Sequence, residues 1–269
     1  MANEAIDLYD NVYGDFTSLA ETQVRRAAFG TDIGQSSWLT AQDWLRYADL
    51  AKVNAGSRVL EVGSGSGGPA VYLAVERGCH VTGVDINQNG VANAERLAAA
   101  RGVGDRTEFR AIDASEPLPF PDGSFDAVLS NDAMCHIPHR LDVLRDWRRV
   151  LRPGGRILFT DAMVITGQVS QEEIATRSSI GRYFFVPPGE NERLIAGAGF
   201  TLIAANDETA AAAAIAGNWR AAREQHRDEL LSREGASNFD GLQRFLACVH
   251  TLSGERRLSR FCYVAEKPA

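Results

Sequence analysis

A carboxylate and a series of glycines lie close together in residues 58–68, Arg-Val-Leu-Glu-Val-Gly-Ser-Gly-Ser-Gly-Gly. The apolar residues before Gly63 predict a buried strand, and the apolar stretch over 70–75 predicts the start of a helix. Glycines in the turn let the backbone approach a ligand closely, because no Cβ atoms stand in the way. A strand, a glycine turn and a helix in this order are typical of a nucleotide-binding site, with a purely structural tight turn as the alternative.

Glu61 narrows the kind of ligand that this turn can bind. Its carboxylate lies two residues before Gly63. Gly63, Gly65 and Gly68 satisfy the dinucleotide spacing G-x-G-x-x-G, but a carboxylate here would repel a pyrophosphate at close range. The same charge would suit a ligand that carries an ammonium and a sulfonium. The turn therefore favours a positively charged ligand over a dinucleotide.

Residues 61–67 resemble the E/D-x-G-x-G-x-G motif of class I S-adenosylmethionine-dependent methyltransferases. Four later segments resemble further motifs of that family in the expected order, at residues 81–86, 109–114, 121–130 and 151–159. The resemblance implies that S-adenosylmethionine is the cofactor and S-adenosylhomocysteine the product. It also implies a Rossmann-like sheet of seven strands whose last strand is antiparallel.

The resemblance assigns roles to individual residues. Asp85 would hold both ribose hydroxyls, Ile86 would pack on the adenine, and Asp113 would meet the adenine amino group. The remaining cofactor positions lie in the glycine turn, beside Asp113 and in two loops: Glu61, Gly63, Gly65, Gly67, Ala114, Asn131 and Ser37.

Residues 130–137, Ser-Asn-Asp-Ala-Met-Cys-His-Ile, resemble a segment of small-molecule N-methyltransferases that act on phosphoethanolamine, sarcosine or dimethylglycine. The resemblance implies that His136 is a catalytic base or orienter near the methyl acceptor. In the phosphoethanolamine branch an N-terminal tyrosine assists this histidine, and Tyr13 is the closest candidate here. A histidine that only caps backbone carbonyls is the alternative. Asn131 and the Trp-Leu pair at 38–39 depart from that branch, so its substrate is not carried over.

The elements that must position these residues predict an α/β, doubly wound fold, because strands alternate with helices after the first glycine turn. We expect four parts: an N-terminal helical segment over the cofactor site, a core, a helical cap and a closing strand, at 1–56, 57–207, 208–253 and 254–269. Predicted helices cover 4–28, 37–52, 67–77, 88–101, 138–151 and 188–198, and the last two strands cover 200–205 and 257–266.

The cap is predicted as one Ala-rich helix over 208–233 that ends at Gly235, followed by a second helix whose apolar face includes Phe239. It is either a lid over the substrate or a cover for the sheet edge. These two functions are compatible, because a lid also needs an apolar underside.

Composition restricts the partners. The 269 residues carry a formal net charge of -7 and a pI near 5.3, which argues against nucleic acid. The apolar run over 210–216 is too short to span a membrane, and no signal peptide is predicted. The four cysteines lack C-x-x-C spacing, so neither a metal site nor disulfides are expected, and a cytoplasmic location fits.

The preferred function is methyl transfer from S-adenosylmethionine to a small-molecule acceptor by in-line displacement, with N-methylation favoured. O- or C-methylation of a secondary metabolite is the alternative. An NAD-dependent oxidoreductase and a non-catalytic binding protein are more remote possibilities. We expect a monomer or a homodimer.

Overall fold

The computed structural model describes residues 18–269. Its strands are β1 (Arg58–Val62), β2 (His80–Asp85), β3 (Thr107–Ala111), β4 (Phe125–Ser130), β5 (Leu151–Ile165), β6 (Thr201–Asp207) and β7 (Leu258–Glu266). They form a seven-stranded sheet in the order β3-β2-β1-β4-β5-β7-β6. β7 pairs antiparallel with both β5 and β6, whereas the other pairs are parallel. The predicted α/β sheet with an antiparallel last strand is confirmed.

The helices of this part of the chain lie on both faces of the sheet and at its carboxyl end. They are α1 (Leu19–Phe29), α2 (Ala41–Leu50), α3 (Gly68–Arg77), α4 (Gln88–Ala100), α5 (Arg140–Val150), α6 (Gln171–Arg177), α7 (Glu190–Gly197), α8 (Thr209–Gln225) and α9 (Arg227–Gly254). Among residues 18–269, no helix combines the length and the hydropathy that crossing a membrane requires.

The prediction missed α6. Its seven residues contain a single large apolar side chain, Ile174, so hydrophobic periodicity gives no signal. A capping box begins the helix instead: Ser170 accepts a hydrogen bond from the Glu173 backbone, and the Glu173 side chain accepts one from the Ser170 backbone. This S-x-x-E pattern was the available signal.

Three predicted helices were wrong in extent. The helix expected over 37–52 covers only Ala41–Leu50, because Thr40 has an extended backbone and its side chain caps the helix. The helix expected over 4–28 is not continuous: Ser18 has an extended backbone and accepts a hydrogen bond from the Glu21 backbone at 3.2 Å, so α1 begins at Leu19. The part expected over 4–17 lies outside the described residues. The helix expected over 208–233 is interrupted at His226 (φ -107°, ψ 23°), so α8 and α9 are separate. Gly235 does interrupt the second helix, with φ 77° and ψ 163°.

The apolar core has three main parts. Two clusters cover the two faces of the sheet. Neighbouring side chains of β1 point to opposite faces, so Val59 belongs to one cluster and Leu60 to the other. A third cluster joins α1 to α8 and α9, and it contains Val24, Trp219 and Phe245. The helices of the predicted cap therefore have a core of their own. The non-helical backbone at Gly235, where the sequence predicted a helix end, lets the later part of α9 pack back against α8 within this core.

Candidate functional site

A cavity of about 570 Å³ lies at the carboxyl ends of the parallel strands β1, β2 and β4, where ligands bind in open α/β sheets. It is lined by all but one of the described residues that sequence reasoning selected for the site: Ser37, Glu61, Gly63, Gly65, Asp85, Ile86, Asp113, Ala114, Asn131 and His136. Gly67 does not line the cavity and instead caps the N-terminus of α3, with φ 75°. Tyr13 lies outside the described residues.

Close contacts explain two glycines of the turn. A Cβ on Gly63 would lie 2.3 Å from the Cβ of Ala133, in the loop after β4. A Cβ on Gly68 would lie 2.0 Å from the carbonyl oxygen of Ile33, in the loop after α1. Gly68, the third glycine of the apparent dinucleotide spacing, is therefore required for packing of that loop. Packing therefore explains the glycine at this position without a bound dinucleotide.

Glu61 is a buried acid beside the cavity, only 2% exposed. Its Oε2 atom has no hydrogen-bond partner among residues 18–269. Burial raises the pKa of this carboxyl well above its ordinary value, and the nearby charge of Asp85 raises it further. A positively charged group bound here would satisfy the oxygen and lower the pKa. The site is therefore suited to an ammonium or a similar cation.

Asp85 ends β2 and is held by backbone donors. Its Oδ2 accepts from the Gly65 backbone at 2.7 Å, and its Oδ1 accepts from the Asn87 backbone at 2.9 Å. Burial raises the pKa of Asp85, and these hydrogen bonds offset only part of that rise. The Asp85 carbonyl also accepts from the Ile112 backbone at 2.9 Å, which ties the end of β3 to the end of β2.

Ile86 and Asp113 lie on the open side of the same strand ends. The Ile86 side chain is 70% exposed, an unusual position for a large apolar group and one that offers a flat ring a surface. Asp113 accepts from the Ser115 hydroxyl at 2.7 Å and from its backbone at 2.9 Å, which lowers the pKa of Asp113. We call the cavity residues from these strand ends the cofactor wall: Glu61, Gly63, Gly65, Asp85, Ile86, Asp113 and Ala114.

The loop after β4 is fixed by a buried arginine that sequence reasoning missed. Arg260, on β7, donates from Nε to Asp132 at 2.8 Å and from Nη2 to Asn131 at 2.9 Å. Asp132 has φ 53° and accepts from the Trp38 backbone at 3.1 Å, while Asn131 donates to the Ser37 hydroxyl. No local motif points to Arg260, because it is 128 residues from Asp132 in the chain.

His136 lies in a short 3₁₀ turn, Met134–His136, at the edge of the cavity. Its Nδ1 atom is 2.8 Å from the carbonyl oxygen of Arg182. Nδ1 must carry the proton in this bond, so the lone pair of the neutral imidazole is on Nε2. Burial lowers the pKa of His136, and the bond to Arg182 opposes that shift. The ring is therefore neutral at neutral pH and can act as a base. It also donates a hydrogen bond to a backbone carbonyl, which is what the alternative capping role requires.

A cluster of rings surrounds a second buried arginine beside His136. The rings of His136 and Tyr183 are 4.2 Å apart between centroids. The guanidinium of Arg177 lies 4.7 Å from the Tyr183 ring and 5.9 Å from the Trp38 ring. We call the following cavity residues the aromatic wall: Trp38, His136, Arg177, Tyr183, Trp219 and Phe245.

Sequence reasoning selected only His136 of this wall as a catalytic candidate. Trp38 and Trp219 are buried in the cluster between α1 and the cap, and they also line the cavity. Arg177 and Tyr183 were missed because α6 and the segment after it were not predicted. The capping box at Ser170 could have located α6, but no motif indicates the contact between Tyr183 and His136.

The chain is similar to known methyltransferases in sequence. A family model described as a methyltransferase domain matches residues 60–159. A 27-O-demethylrifamycin SV methyltransferase of Amycolatopsis mediterranei is 39% identical over 132 residues, which are 49% of this chain and 48% of that protein. A phosphoethanolamine N-methyltransferase of Triticum aestivum is 30% identical over 196 residues, 73% of this chain and 38% of the relative. The matches thus cover about half or less of these relatives.

A solved structure shows the same fold. The Haemonchus contortus phosphoethanolamine N-methyltransferase 2, in complex with phosphomonomethylethanolamine and S-adenosylhomocysteine, superposes with a TM-score of 0.82 at 24% identity. The superposition covers 97% of this chain and 60% of the other. The chain therefore has the fold of the class I S-adenosylmethionine-dependent methyltransferases, and its residues 60–159 match the model of a methyltransferase domain.

Proposed function

We propose that this protein is an S-adenosylmethionine-dependent methyltransferase that acts on a small-molecule acceptor, with a nitrogen nucleophile favoured. The observation that carries the proposal is Glu61, a buried carboxylate with an unsatisfied oxygen beside a glycine turn. A dinucleotide would bring phosphates to this carboxylate, whereas S-adenosylmethionine would bring positive charge. The family-model match over residues 60–159 and the sequence similarity to methyltransferases support the same function.

The residues of the cofactor wall fit this cofactor. Glu61 would hold a positively charged group, Asp85 would accept hydrogen bonds from the ribose hydroxyls, and Ile86 would pack against the adenine. Asp113 has an exposed carboxylate for the adenine amino group. When bound, S-adenosylmethionine supplies an electrophilic methyl group on a sulfonium.

The chain contributes mainly orientation and exclusion of water. Holding two reactants in line can supply roughly 7–11 kcal/mol of the barrier reduction. Nε2 of His136 would accept a proton from the acceptor where its nucleophile has one to lose, a contribution of about 10²–10⁴-fold. Arg182 holds the imidazole in the tautomer that this step needs. Tyr183 packs on the same ring, and Tyr13 stays a predicted partner of His136.

O-methylation is the second candidate, and one observation favours it. The relative from Amycolatopsis mediterranei is named for a substrate that lacks a methyl group on an oxygen. A hydroxyl nucleophile loses its proton during the reaction, so it would depend more strongly on His136 than a neutral amine would. The dependence of turnover on His136 therefore separates the two acceptor classes.

The N-terminal segment 1–56 and the cap 208–253 would close the cavity around the core. Trp38 comes from the first, Trp219 and Phe245 come from the second, and all three line the cavity. Their rings contact each other at 6.1 Å for Trp38 and Trp219 and 6.3 Å for Trp38 and Phe245. Such a closure would exclude water from the reacting groups. A monomeric or homodimeric state and a cytoplasmic location stay predictions.

Calorimetric titration with S-adenosylmethionine, S-adenosylhomocysteine and NAD tests the proposal. We expect the first two to bind and NAD not to bind. A screen of amines, phenols and prenyl diphosphates for S-adenosylhomocysteine formation then identifies the acceptor class. Binding of NAD alone would indicate an oxidoreductase. Cofactor binding without turnover on any acceptor would favour a binding protein.

A further inference from the structure

Five arginine side chains in residues 18–269 are almost completely buried, each at most 6% exposed. Burying a guanidinium costs free energy, and a paired carboxylate offsets much of that cost. Four of the five have such a partner, in the ion pairs Arg25–Asp32, Arg140–Asp161, Arg223–Glu234 and Arg260–Asp132. The fifth, Arg177, is the exception.

Arg177 is the last residue of α6 and lines the cavity. Its Nε and Nη1 atoms are buried, and in the part of the chain that the structure describes they have no hydrogen-bond acceptor. Its guanidinium carbon lies 5.9, 4.7 and 4.9 Å from the ring centroids of Trp38, Tyr183 and Phe245. Rings attract a cation through their faces, but they do not replace acceptors in the guanidinium plane. The guanidinium therefore lacks an acceptor within the described residues, and it lines the cavity in which an acceptor from outside the chain would bind.

The acids that share the surroundings of Arg177 are engaged by other arginines. The charges of Arg177, Asp132 and Asp161 all act on the pKa of the candidate base, so these groups lie around one ring. Asp132 and Asp161 belong to the ion pairs given above. Glu173, one turn earlier on α6, pairs with Arg257 at 2.7 Å. None of these three carboxylates neutralises Arg177.

We propose that Arg177 binds an anionic group of the methyl acceptor, a carboxylate or a phosphate. The inference rests on the proposed function, because the acceptor must share the cavity with the cofactor wall. A planar guanidinium binds either group through two parallel hydrogen bonds. The rings of Trp38, Trp219 and Phe245 would cover the rest of the molecule. The acceptor is therefore an acid with an apolar body.

The same arrangement discriminates against other acceptors. A neutral analogue leaves the buried guanidinium without a partner, and a protonated amine is repelled by it. The face of Trp38 that could attract a cationic amine already contacts Arg177. An unprotonated amine is not repelled, and it is also the nucleophilic form. N-methylation is thus compatible with an acceptor that carries an acid elsewhere.

Matched probes test the charge preference without knowledge of the natural acceptor. The full-length protein, saturated with S-adenosylhomocysteine, is titrated with hexanoate, hexyl phosphate and hexanol. We expect at least one of the two anions to bind roughly 10- to 100-fold more tightly than the alcohol, as for a charged hydrogen bond. The anion that binds more tightly indicates whether the acceptor carries a carboxylate or a phosphate. Equal binding of all three probes would overturn the proposal.

Two variants locate the anion. Arg177→Met should remove the preference for the anion over the alcohol, and Arg177→Lys should retain only part of it. Arg193→Met is the matched control, because Arg193 is an exposed arginine paired with Glu190 outside the cavity. The control should bind all three probes like the wild type. If Arg177→Met retains the anion preference, Arg177 does not bind the anion.

Stability measurements separate binding from folding. An unpaired buried charge does not stabilise the fold, so Arg177→Met should keep a melting temperature at or above that of the wild type. S-adenosylhomocysteine should bind to all the variants alike. If the wild type fails to bind S-adenosylhomocysteine, the proposed function is wrong. If it binds S-adenosylhomocysteine but shows no preference for anions, only the inference about Arg177 is wrong.

Discussion

The cofactor wall and the aromatic wall line one cavity but carry opposite charge. In the cofactor wall, carboxylates at strand ends accept hydrogen bonds from backbone groups, and Glu61 keeps an unsatisfied oxygen. In the aromatic wall, the charged group is the Arg177 guanidinium, which contacts ring faces. The first arrangement suits a positively charged ligand, and the second suits an anion. The difference predicts that two ligands of unlike charge bind side by side.

The two walls also differ in how the chain builds them. The cofactor wall comes from consecutive strand ends within residues 61–114. The aromatic wall draws on α6, on the loops after α1 and β4, on the segment after α6, and on both cap helices. Because the second wall combines segments that are distant in sequence, its geometry depends on how the cap packs. Four experiments test this contrast.

His136→Ala should have the largest effect and should act only through the aromatic wall. Turnover should fall by about 10²–10⁴-fold when the acceptor must lose a proton, while affinity for S-adenosylhomocysteine stays nearly unchanged. Burial lowers the pKa of His136, so the acidic limb of the wild-type profile of kcat against pH should lie below the ordinary value of about 6.5. A change of only a few-fold with a steep loss of melting temperature would instead indicate a capping role.

Asp85→Ala should weaken binding of S-adenosylhomocysteine by about 1.5–3 kcal/mol, the contribution of hydrogen bonds to a charged group. Asp113→Ala is the internal comparison. Asp113 is more exposed and its carboxylate already binds Ser115, so we expect a smaller loss. Calorimetric dissociation constants measure both effects. Wild-type affinity in Asp85→Ala would exclude the ribose role for this residue.

Glu61→Gln should weaken cofactor binding but stabilise the protein. The folded-state pKa of Glu61 is raised, so the free energy of unfolding falls as the pH rises from the unfolded pKa, about 4.3, through the folded one. Glutamine removes this penalty, and a gain of about 1 kcal/mol would raise the melting temperature at neutral pH by roughly 2–4 °C.

The same residue should couple cofactor binding to protons. A bound cation lowers the pKa of Glu61, so binding should release protons and tighten as the pH rises through the range in which the free protein titrates. Calorimetry in two buffers of different ionisation enthalpy measures the released protons, and Glu61→Gln should abolish that release. A variant that is less stable and binds normally would show that Glu61 has a structural role.

Hydrogen exchange should show the smallest and most distributed difference. When S-adenosylhomocysteine and an acceptor bind, the cap over 208–252 and the N-terminal segment 4–38 should become more protected, because a closing element must also open. The strands over 58–62 and 126–130 should change little. Equal protection of the cap with and without ligands would indicate a static cover over the sheet edge.

The sequence by itself determined the fold class and the residues of the cofactor wall. Each motif is local: a strand, the turn after it and the acid at its end are adjacent in the chain, and parallel strands bring those ends together. Glu61, Asp85 and Asp113 could therefore be selected without any knowledge of distant contacts. The family model of a methyltransferase domain matches residues 60–159, which include the whole cofactor wall.

Only the tertiary structure decided the aromatic wall. Arg177 lies at the end of a short helix with little apolar periodicity, and its environment comes from Trp38, Tyr183 and Phe245 in three other segments. The break between α8 and α9 at His226 was likewise not predicted, whereas the break at Gly235 was. Sequence patterns indicate the local backbone conformation and which face of a helix or strand is buried. Whether a buried arginine meets a carboxylate depends on which distant segments pack against it, and no local pattern encodes that.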